Sequence, residues 1–313
     1  MIGEPLPYTG CPLDRAGDRR TQPAWLAARL TDPETRFLAV WQDASHVTAA
    51  EPPRPVSLQG EDASLALELA EEVVFLGLER DSEQGERAVF ALDLSGLAAA
   101  EVLDAVGNHG TFQDLRRIGP ELDRPDGALL AYARAILRWH RGHRYCGCCG
   151  APTAAKDGGH VRICTGTDCG VTHHPRTDPA VIMLVHDGGE HCVLGRQSRH
   201  PPGMHTVLAG FVEPGESLEE AVVREVAEEI GLDAARPRYM GAQPWPFPAQ
   251  LMVGFHVRAP FAPLRVHPDE LDHARWYHRD ELLDLRESDT FRLPRRDSIA
   301  RRLIDAWLAG EAG

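Results

Sequence analysis

The sequence predicts a mixed α/β (α+β) fold shared among an N-terminal domain, a small cysteine module and a C-terminal domain. Three observations predict it. Runs of β-branched and aromatic residues alternate with helix-periodic segments along the whole chain. Five of the seven cysteines fall within 24 residues near the middle. The 313 residues, 43% of them hydrophobic, suffice for two cores and a small extra module. The boundaries read as 1–140, 141–175 and 176–313.

In the first domain, strands are expected at Phe37–Trp41, Val73–Leu78 and Ala88–Leu94. The last two flank the polar stretch Asp81-Ser82-Glu83-Gln84-Gly85, which predicts a hairpin. After Pro125-Asp126-Gly127, the residues Leu129, Leu130, Ala133, Ile136 and Leu137 recur at helical spacing as far as Trp139. No catalytic constellation is legible here.

In the third domain, Val181–Val185 and His191–Gly195 predict a hairpin over Asp187-Gly188-Gly189. A strand is expected at Thr206–Val212, then a helix at Ser217–Ile230. Strands at Leu251–Val257 and Ala274–Tyr277 and a closing helix around Ser298–Leu308 complete the pattern. Strands mixed with a few helices suit an α+β or α/β sandwich.

The net charge of −14 argues against extended contact with a polynucleotide, which calls for a basic stripe. A small anionic substrate fits if metal ions sit between it and the carboxylates, although solubility alone accounts for much of the acidity. Apolar runs such as residues 180–185 are far shorter than the ~20 residues a membrane crossing needs. The opening segment lacks the basic-then-apolar pattern of a secretory signal, so a cytoplasmic protein with no membrane partner is expected.

In such a setting clustered cysteines read as metal ligands before disulfides. Cys146-x2-Cys149, fourteen residues, then Cys164-x4-Cys169 suits one tetrahedral structural zinc per chain, each pair supplying two thiolates from a tight turn. The second pair is wider than usual. The fourth ligand therefore stays open among Cys169, Cys148, His160, His173 and His174, and a set of free thiols is the plain alternative.

The stretch from Gly210 to Leu232 reads as a strand, a Gly/Pro loop and an amphipathic helix. Ser217 and Glu220 predict a capping box, and Gly231 a C-terminal glycine cap. Val222, Val223, Val226 and Ile230 fall in one arc and are expected to face a core. Glu225, Glu228 and Glu229, at i, i+3 and i+4, fall in another. Unpartnered, they repel one another. Mg²⁺ or Mn²⁺ relieves that repulsion, because hard cations prefer carboxylate oxygen. A solvated acidic face is the bland alternative for the helix alone.

The full pattern resembles the Nudix box. Its fixed positions are filled by Gly210, Glu216, Arg224, Glu225, Val226, Glu228, Glu229, Gly231 and Leu232. The resemblance implies a Nudix α/β/α sandwich and hydrolysis of a nucleoside diphosphate linked to another moiety. It implies Glu225 and Glu229 as ligands of Mg²⁺ or Mn²⁺, with Glu228 a third ligand or a base for water. Arg224 and Glu216 then hold the loop–helix geometry, with Glu216 near a metal. Glu270 matches a further ligand of the family; without the resemblance it reads as a surface carboxylate beside Asp269.

Gln243-Pro244-Trp245-Pro246-Phe247-Pro248 reads as a stiff extended loop, since each proline fixes its own φ and restrains its neighbour. Such an aromatic shelf suits stacking on a base; aromatics packed inward are the alternative. The stretch resembles the Ser-Gln-Pro-Trp-Pro-Phe-Pro-x-Ser motif of the NADH pyrophosphatase subgroup. Ala242 and Gln250 stand where that motif has serines. The subgroup also has a four-cysteine zinc ribbon, and Trp139-His140, Tyr145-Cys146-Gly147 and His174-Pro175-Arg176 are similar to its flanks.

That resemblance implies NADH or NAD as substrate, cleaved to AMP and a nicotinamide mononucleotide, and in some members removal of an NAD cap from the 5′ end of RNA. It implies Phe211 and Trp245 as base-stacking residues, Gln243 and Phe247 as shaping the pocket, and Gln250 as a donor to phosphate or ribose. His174 stands where a tyrosine is frequent. The subgroup also implies a homodimer. The alternatives are a Nudix hydrolase of ADP-ribose or another nucleoside diphosphate derivative, and a zinc-ribbon binding or regulatory protein with an inactive Nudix domain.

Overall fold

The computed structural model describes residues 5–81, 85–198 and 200–311. The chain clusters into two compact units. One comprises Tyr8–Thr177 and Pro246–Ala249; the other comprises the segment up to Pro7, Asp178–Trp245 and Gln250 onward.

The first unit runs α1 (Pro23–Leu30), β1 (Arg36–Trp41), β2 (Ala44–Val47), α2 (Gly60–Leu69), β3 (Glu72–Asp81), β4 (Gly85–Asp93), α3 (Ala99–Val106), β5 (Thr111–Asp114), α4 (Leu115–Ile118) and α5 (Arg124–Gly142). Its sheet has the order β3-β4-β1-β2-β5. Residues alternate cleanly between two cores, as a period of two requires. Leu38, Val40, Val74, Leu76, Val89 and Ala91 meet Leu129, Ala133, Ile136 and Leu137 of α5. Phe37, Ala39, Phe75, Phe90 and Leu92 meet Ala63 and Ala66 of α2 and Val102 and Ala105 of α3. Helices on both faces explain why these strands read as continuous apolar runs. β3 and β4 form the expected antiparallel pair, in register from Asp81–Gly85; residues 82–84 of the expected turn lie outside the described residues.

The cysteine module contributes a small sheet of β6 (Thr153–Lys156), β7 (Val161–Cys164) and β8 (Thr172–His173) to the same unit. Arg162 fastens it there. Its guanidinium bonds Glu72 of β3, the Nδ1 of buried His140 at 2.7 Å, and the Thr153 carbonyl at 2.9 Å.

The second unit runs β9 (Asp178–His186), β10 (His191–Arg196), β11 (Leu208–Phe211), α6 (Leu218–Ile230), β12 (Ala235–Trp245), β13 (Gln250–Arg258), β14 (His273–His278), α7 (Arg279–Asp284) and α8 (Ile299–Leu308). The order is β12-β13-β9-β10-β14, and β11 pairs with the first half of β9. Val181, Met183 and Val185 of β9 pack with Ala221, Val222, Val226 and Ile230 of α6. Ile182 and Leu184 pack with Ile299, Leu303, Ile304 and Trp307 of α8. One strand thus feeds two cores, and the unit is an α/β/α sandwich.

Two expectations need correction. Val223 is 36% exposed, while Ala221 is fully buried, so the buried stripe of α6 is displaced towards Ala221 relative to the expected arc of Val222, Val223, Val226 and Ile230. Gln243, Pro244 and Trp245 are not loop: they pair with Met252, Leu251 and Gln250 as the end of β12. A proline is tolerated there because β12 is an edge strand, where a ladder N–H is dispensable. Among the described residues no helix is long and apolar enough to cross a membrane.

Candidate active site

The site is built where a glycine-proline loop enters α6. The capping box forms as expected: Ser217 Oγ accepts from the Glu220 amide at 3.2 Å, and Glu220 Oε2 accepts from the Ser217 amide at 2.8 Å. Gly231 ends the helix in the left-handed region at φ 69°. These caps fix the register in which the helix presents its glutamates.

Arg224 sits at the centre. It forks onto Glu216 (Nε to Oε1 2.6 Å, Nη2 to Oε2 2.9 Å), while Nη1 donates to Glu225 and Glu228, each at 2.9 Å. Nη2 also donates to the Phe211 carbonyl at 2.9 Å, tying the helix to the end of β11. Planar bidentate geometry makes this a task for arginine. Its bond to Arg224, aided by the Glu213 amide, holds the Glu216 carboxyl below its ordinary range. Burial pushes Glu225 the other way, against Arg224, and the charges of Glu228 and Glu270 add to the rise.

Glu225, Glu228 and Glu216 therefore converge on one guanidinium. Glu229 is buried at 2% exposure, and Glu270 lies exposed in the turn before β14, within electrostatic reach of Glu225. Among the described residues the four cysteines are the one group whose ligand atoms already converge on a metal-sized space. The glutamates nonetheless suit a hard divalent cation: they offer only oxygen donors, and such an ion favours the charged form of Glu225, which burial first and the charges of Glu228 and Glu270 next disfavour.

Register places the aromatic residues. Phe211, Ala180, Met252 and Gln243 form one row across β11, β9, β13 and β12. Three strand spacings separate its ends, about 14 Å. Asp178, Gln250 and Trp245 form the next row at the same end of the sheet. Cross-strand partners share a face, and Met252 packs on the α8 side, so both rows face α8. Phe211, at 54% exposure, and half-buried Trp245 thus belong to the same face and the same end. Gly210, one residue back, faces α6 and touches Glu225.

Comparison with known proteins fits this geometry. Residues 176–300 match the NUDIX domain model, and residues 34–139 match an "NADH pyrophosphatase-like rudimentary NUDIX domain". The chain is 35% identical to the NAD-capped RNA hydrolase NUDT12 of Macaca fascicularis over 331 residues, covering 95% of this chain and 72% of that one. It is 43% identical to the NAD-capped RNA hydrolase NudC of Stutzerimonas stutzeri (strain A1501), covering 65% and 68%, and 40% identical to that of Mycobacterium bovis (strain BCG / Pasteur 1173P2), covering 79% and 80%. The chain belongs to the Nudix family, in its NADH pyrophosphatase subgroup. Nudix enzymes work with divalent metals.

Several residues expected at this Nudix site have structural partners that spacing did not reveal. Gln243 is fully buried: its Nε2 donates to the Asp297 carbonyl at 2.9 Å, and its Oε1 accepts from the Ile299 amide at 2.8 Å. It anchors the start of α8 to β12. Phe247 lies in the first unit, its ring under the guanidinium carbons of Arg116 (4.8 Å) and Arg134 (4.9 Å) and edge-on to Tyr8 (5.9 Å). Arg134 also donates to the Pro246 carbonyl. Gln250 is half-buried and pairs with Trp245, and His174 is exposed just beyond β8. Sequence reading missed Arg116 and Arg134 altogether, because nothing local ties them to Phe247.

Among the expected metal ligands of the cysteine module, four sulfurs come together. The sulfurs of Cys146, Cys149, Cys164 and Cys169 all lie within 4.8 Å of one another, while Cys148 is exposed. His160 instead bonds the Phe75 carbonyl at 2.8 Å and Tyr132 at 3.2 Å. The Cys148 amide points at Cys146 Sγ and the Gly166 amide at Cys164 Sγ, at 3.4 and 3.3 Å. With the Cys148 and Cys149 amides favouring its thiolate, Cys146 falls to about 5. The Val171 amide favours the Cys169 thiolate too, but neighbouring Cys149 and burial hold that thiol up at about 12. Four thiols so crowded ionise together only around a cation, and their number and spacing can bind zinc.

Proposed function

We propose that this protein hydrolyses the pyrophosphate of NADH or NAD to AMP and a nicotinamide mononucleotide, and removes NAD caps from RNA. The carrying observation is the Arg224 hub, which gathers Glu216, Glu225 and Glu228 beside the Gly210–Phe211 strand end. The names of its relatives, NAD-capped RNA hydrolases, support the substrate.

In this reading Glu225, Glu228, Glu229 and Glu270 hold Mg²⁺ or Mn²⁺. Such ions neutralise phosphate charge and lower the pKa of a bound water. The protein's own residues bind and orient. Phe211 and Trp245 stack the base, and Gln243 holds their sheet end rigid against α8. Glu228, the most exposed carboxylate on Arg224, receives the proton of the attacking water. Water adds to one phosphorus, the phosphoanhydride bond breaks, and a mononucleotide leaves. Zinc on Cys146, Cys149, Cys164 and Cys169 is structural. The protein acts as a cytoplasmic homodimer, which light scattering of the purified protein tests.

The deciding experiment offers NADH, NAD and ADP-ribose in competition under Mg²⁺ or Mn²⁺, with products read by mass spectrometry. AMP plus nicotinamide mononucleotide, abolished by chelation, is the expected outcome. Turnover of ADP-ribose alone supports the second reading, which Ala242 and Gln250 in place of the motif's serines favour. Glu229→Gln should keep the fold and lose most of the rate; a rate near wild type removes its ligand role.

A further inference from the structure

Residues 286–302, which lead into α8, carry six arginines against Glu287, Asp289 and Asp297. This is a local excess of three positive charges in a chain of net charge −14. Not all of them are spent internally. Arg301 pairs with Glu287 and Asp305, and Arg295 with Asp297. Arg286 and Arg296 are exposed, and neither makes an ion pair or side-chain hydrogen bond among the described residues.

The position of this segment is set by Gln243. Two of its hydrogen bonds reach Asp297 and Ile299, which fixes the Arg295–Ser298 turn on edge strand β12, two residues before Trp245. The same α8-side face carries Phe211 at 54% exposure. An aromatic platform and the unpaired Arg296, next to Asp297 on the Gln243 anchor, therefore share one end of the sheet. A single-stranded nucleic acid needs that combination, with bases on rings and phosphates on cations.

We infer that Arg296 binds the phosphodiester backbone of RNA just downstream of an NAD cap seated at Phe211 and Trp245. The inference rests on the proposed NAD chemistry and deepens it. Free NADH ends at its second ribose and needs no such grip, whereas capped RNA continues over the β12 edge with one phosphate per nucleotide. Elsewhere the acidic surface repels a polyanion, so a short positive path is enough to choose the exit direction. Arg296 is a substrate-binding residue for RNA only and takes no part in chemistry at the pyrophosphate.

The test compares steady-state cleavage of NADH with that of a short 5′-NAD RNA by wild type and Arg296→Ala. For capped RNA, KM should rise roughly three- to tenfold in Arg296→Ala, and the slope of log affinity against log salt should shrink by about 0.7 for the one phosphate no longer neutralised. NADH kinetics should stay at wild-type values, which also shows that the variants are folded. Equal effects on both substrates, or no effect on capped RNA, overturn the inference while leaving NAD hydrolysis standing. Wild type that cuts neither substrate overturns the proposed function and this inference with it. Arg296→Glu should weaken capped RNA further than Arg296→Ala; equal weakening means that packing rather than charge was removed.

Discussion

Gly210 lies directly against the Glu225 carboxylate: a methyl group built on Gly210 would stand 1.9 Å from Glu225 Cδ. The backbone of Gly210 is not in the left-handed region, so the requirement is one of space alone. Gly210→Ala must push Glu225 off its place beside Arg224 while leaving the strand intact. Displacing such a group by about 1 Å costs roughly a hundredfold in rate. The expected result is a folded protein of near-normal thermal stability with kcat/KM for NADH down by that order. Activity within threefold of wild type would show that Glu225 is free to move.

Arg224 binds three carboxylates with one planar fork, a task a lysine ammonium cannot reproduce. Arg224→Lys should therefore behave more like Arg224→Ala than like wild type. Both variants should need several-fold more Mg²⁺ or Mn²⁺ for half-maximal activity, since the fork that holds Glu225 and Glu228 in position is lost. A metal titration of activity reads this directly, and a wild-type midpoint for Arg224→Lys removes the argument.

The local part of this site was legible in sequence, and its long-range part was not. The capping box, the Gly231 cap and the buried Val222, Val226 and Ile230 follow from spacing within one helix. So does the cysteine quartet, although only the folded hairpin separates Cys169 from Cys148 and the histidines. By contrast, Gln243 meets residues 54 and 56 positions away, and Arg134 meets Pro246 at a separation of 112. No pattern in a window of about fifteen residues carries such pairings. Strand β12 was missed for a related reason: its prolines read as loop, and only its place at the sheet edge makes them acceptable.

The clamp on Phe247 assigns work to the first unit. Arg134 is 8% exposed, covers the Phe247 ring, and bonds the carbonyls of Pro246 and Asp43. Arg134→Met keeps the bulk and removes the donors, freeing the turn that follows Trp245. KM for NADH should rise about tenfold with kcat little changed, because binding rather than chemistry is disturbed. A fall in kcat at constant KM would contradict this role.

The cysteine quartet makes a discriminating pair of variants. Cys148→Ser should retain about one zinc per chain, and Cys169→Ser should lose it, as elemental analysis after dialysis will read. Loss of the metal should also lower the thermal stability of the first unit, since zinc binding adds directly to folding free energy. Zinc retained in Cys169→Ser would return the fourth position to Cys148 or His173.

His256 gives the second unit a pH-dependent stability. Burial, opposed by its bond to the Leu303 carbonyl at 2.9 Å, lowers the imidazole to about 4. In the unfolded chain it titrates near 6.5. Between those values the unfolded state binds the extra proton, so stability is fully present above about pH 6.5. It falls as the pH drops through that window and levels off below about 4. The full loss attributable to this one residue is about 3 kcal/mol. His46 and His160, also lowered to about 4 chiefly by burial, act in the same direction in the first unit. Denaturant midpoints at pH 7.5 and 5 should therefore differ for the wild type. His256→Gln should shrink the difference in the transition that reports the second unit. An unchanged difference would mean that His256 titrates normally and that its environment admits water.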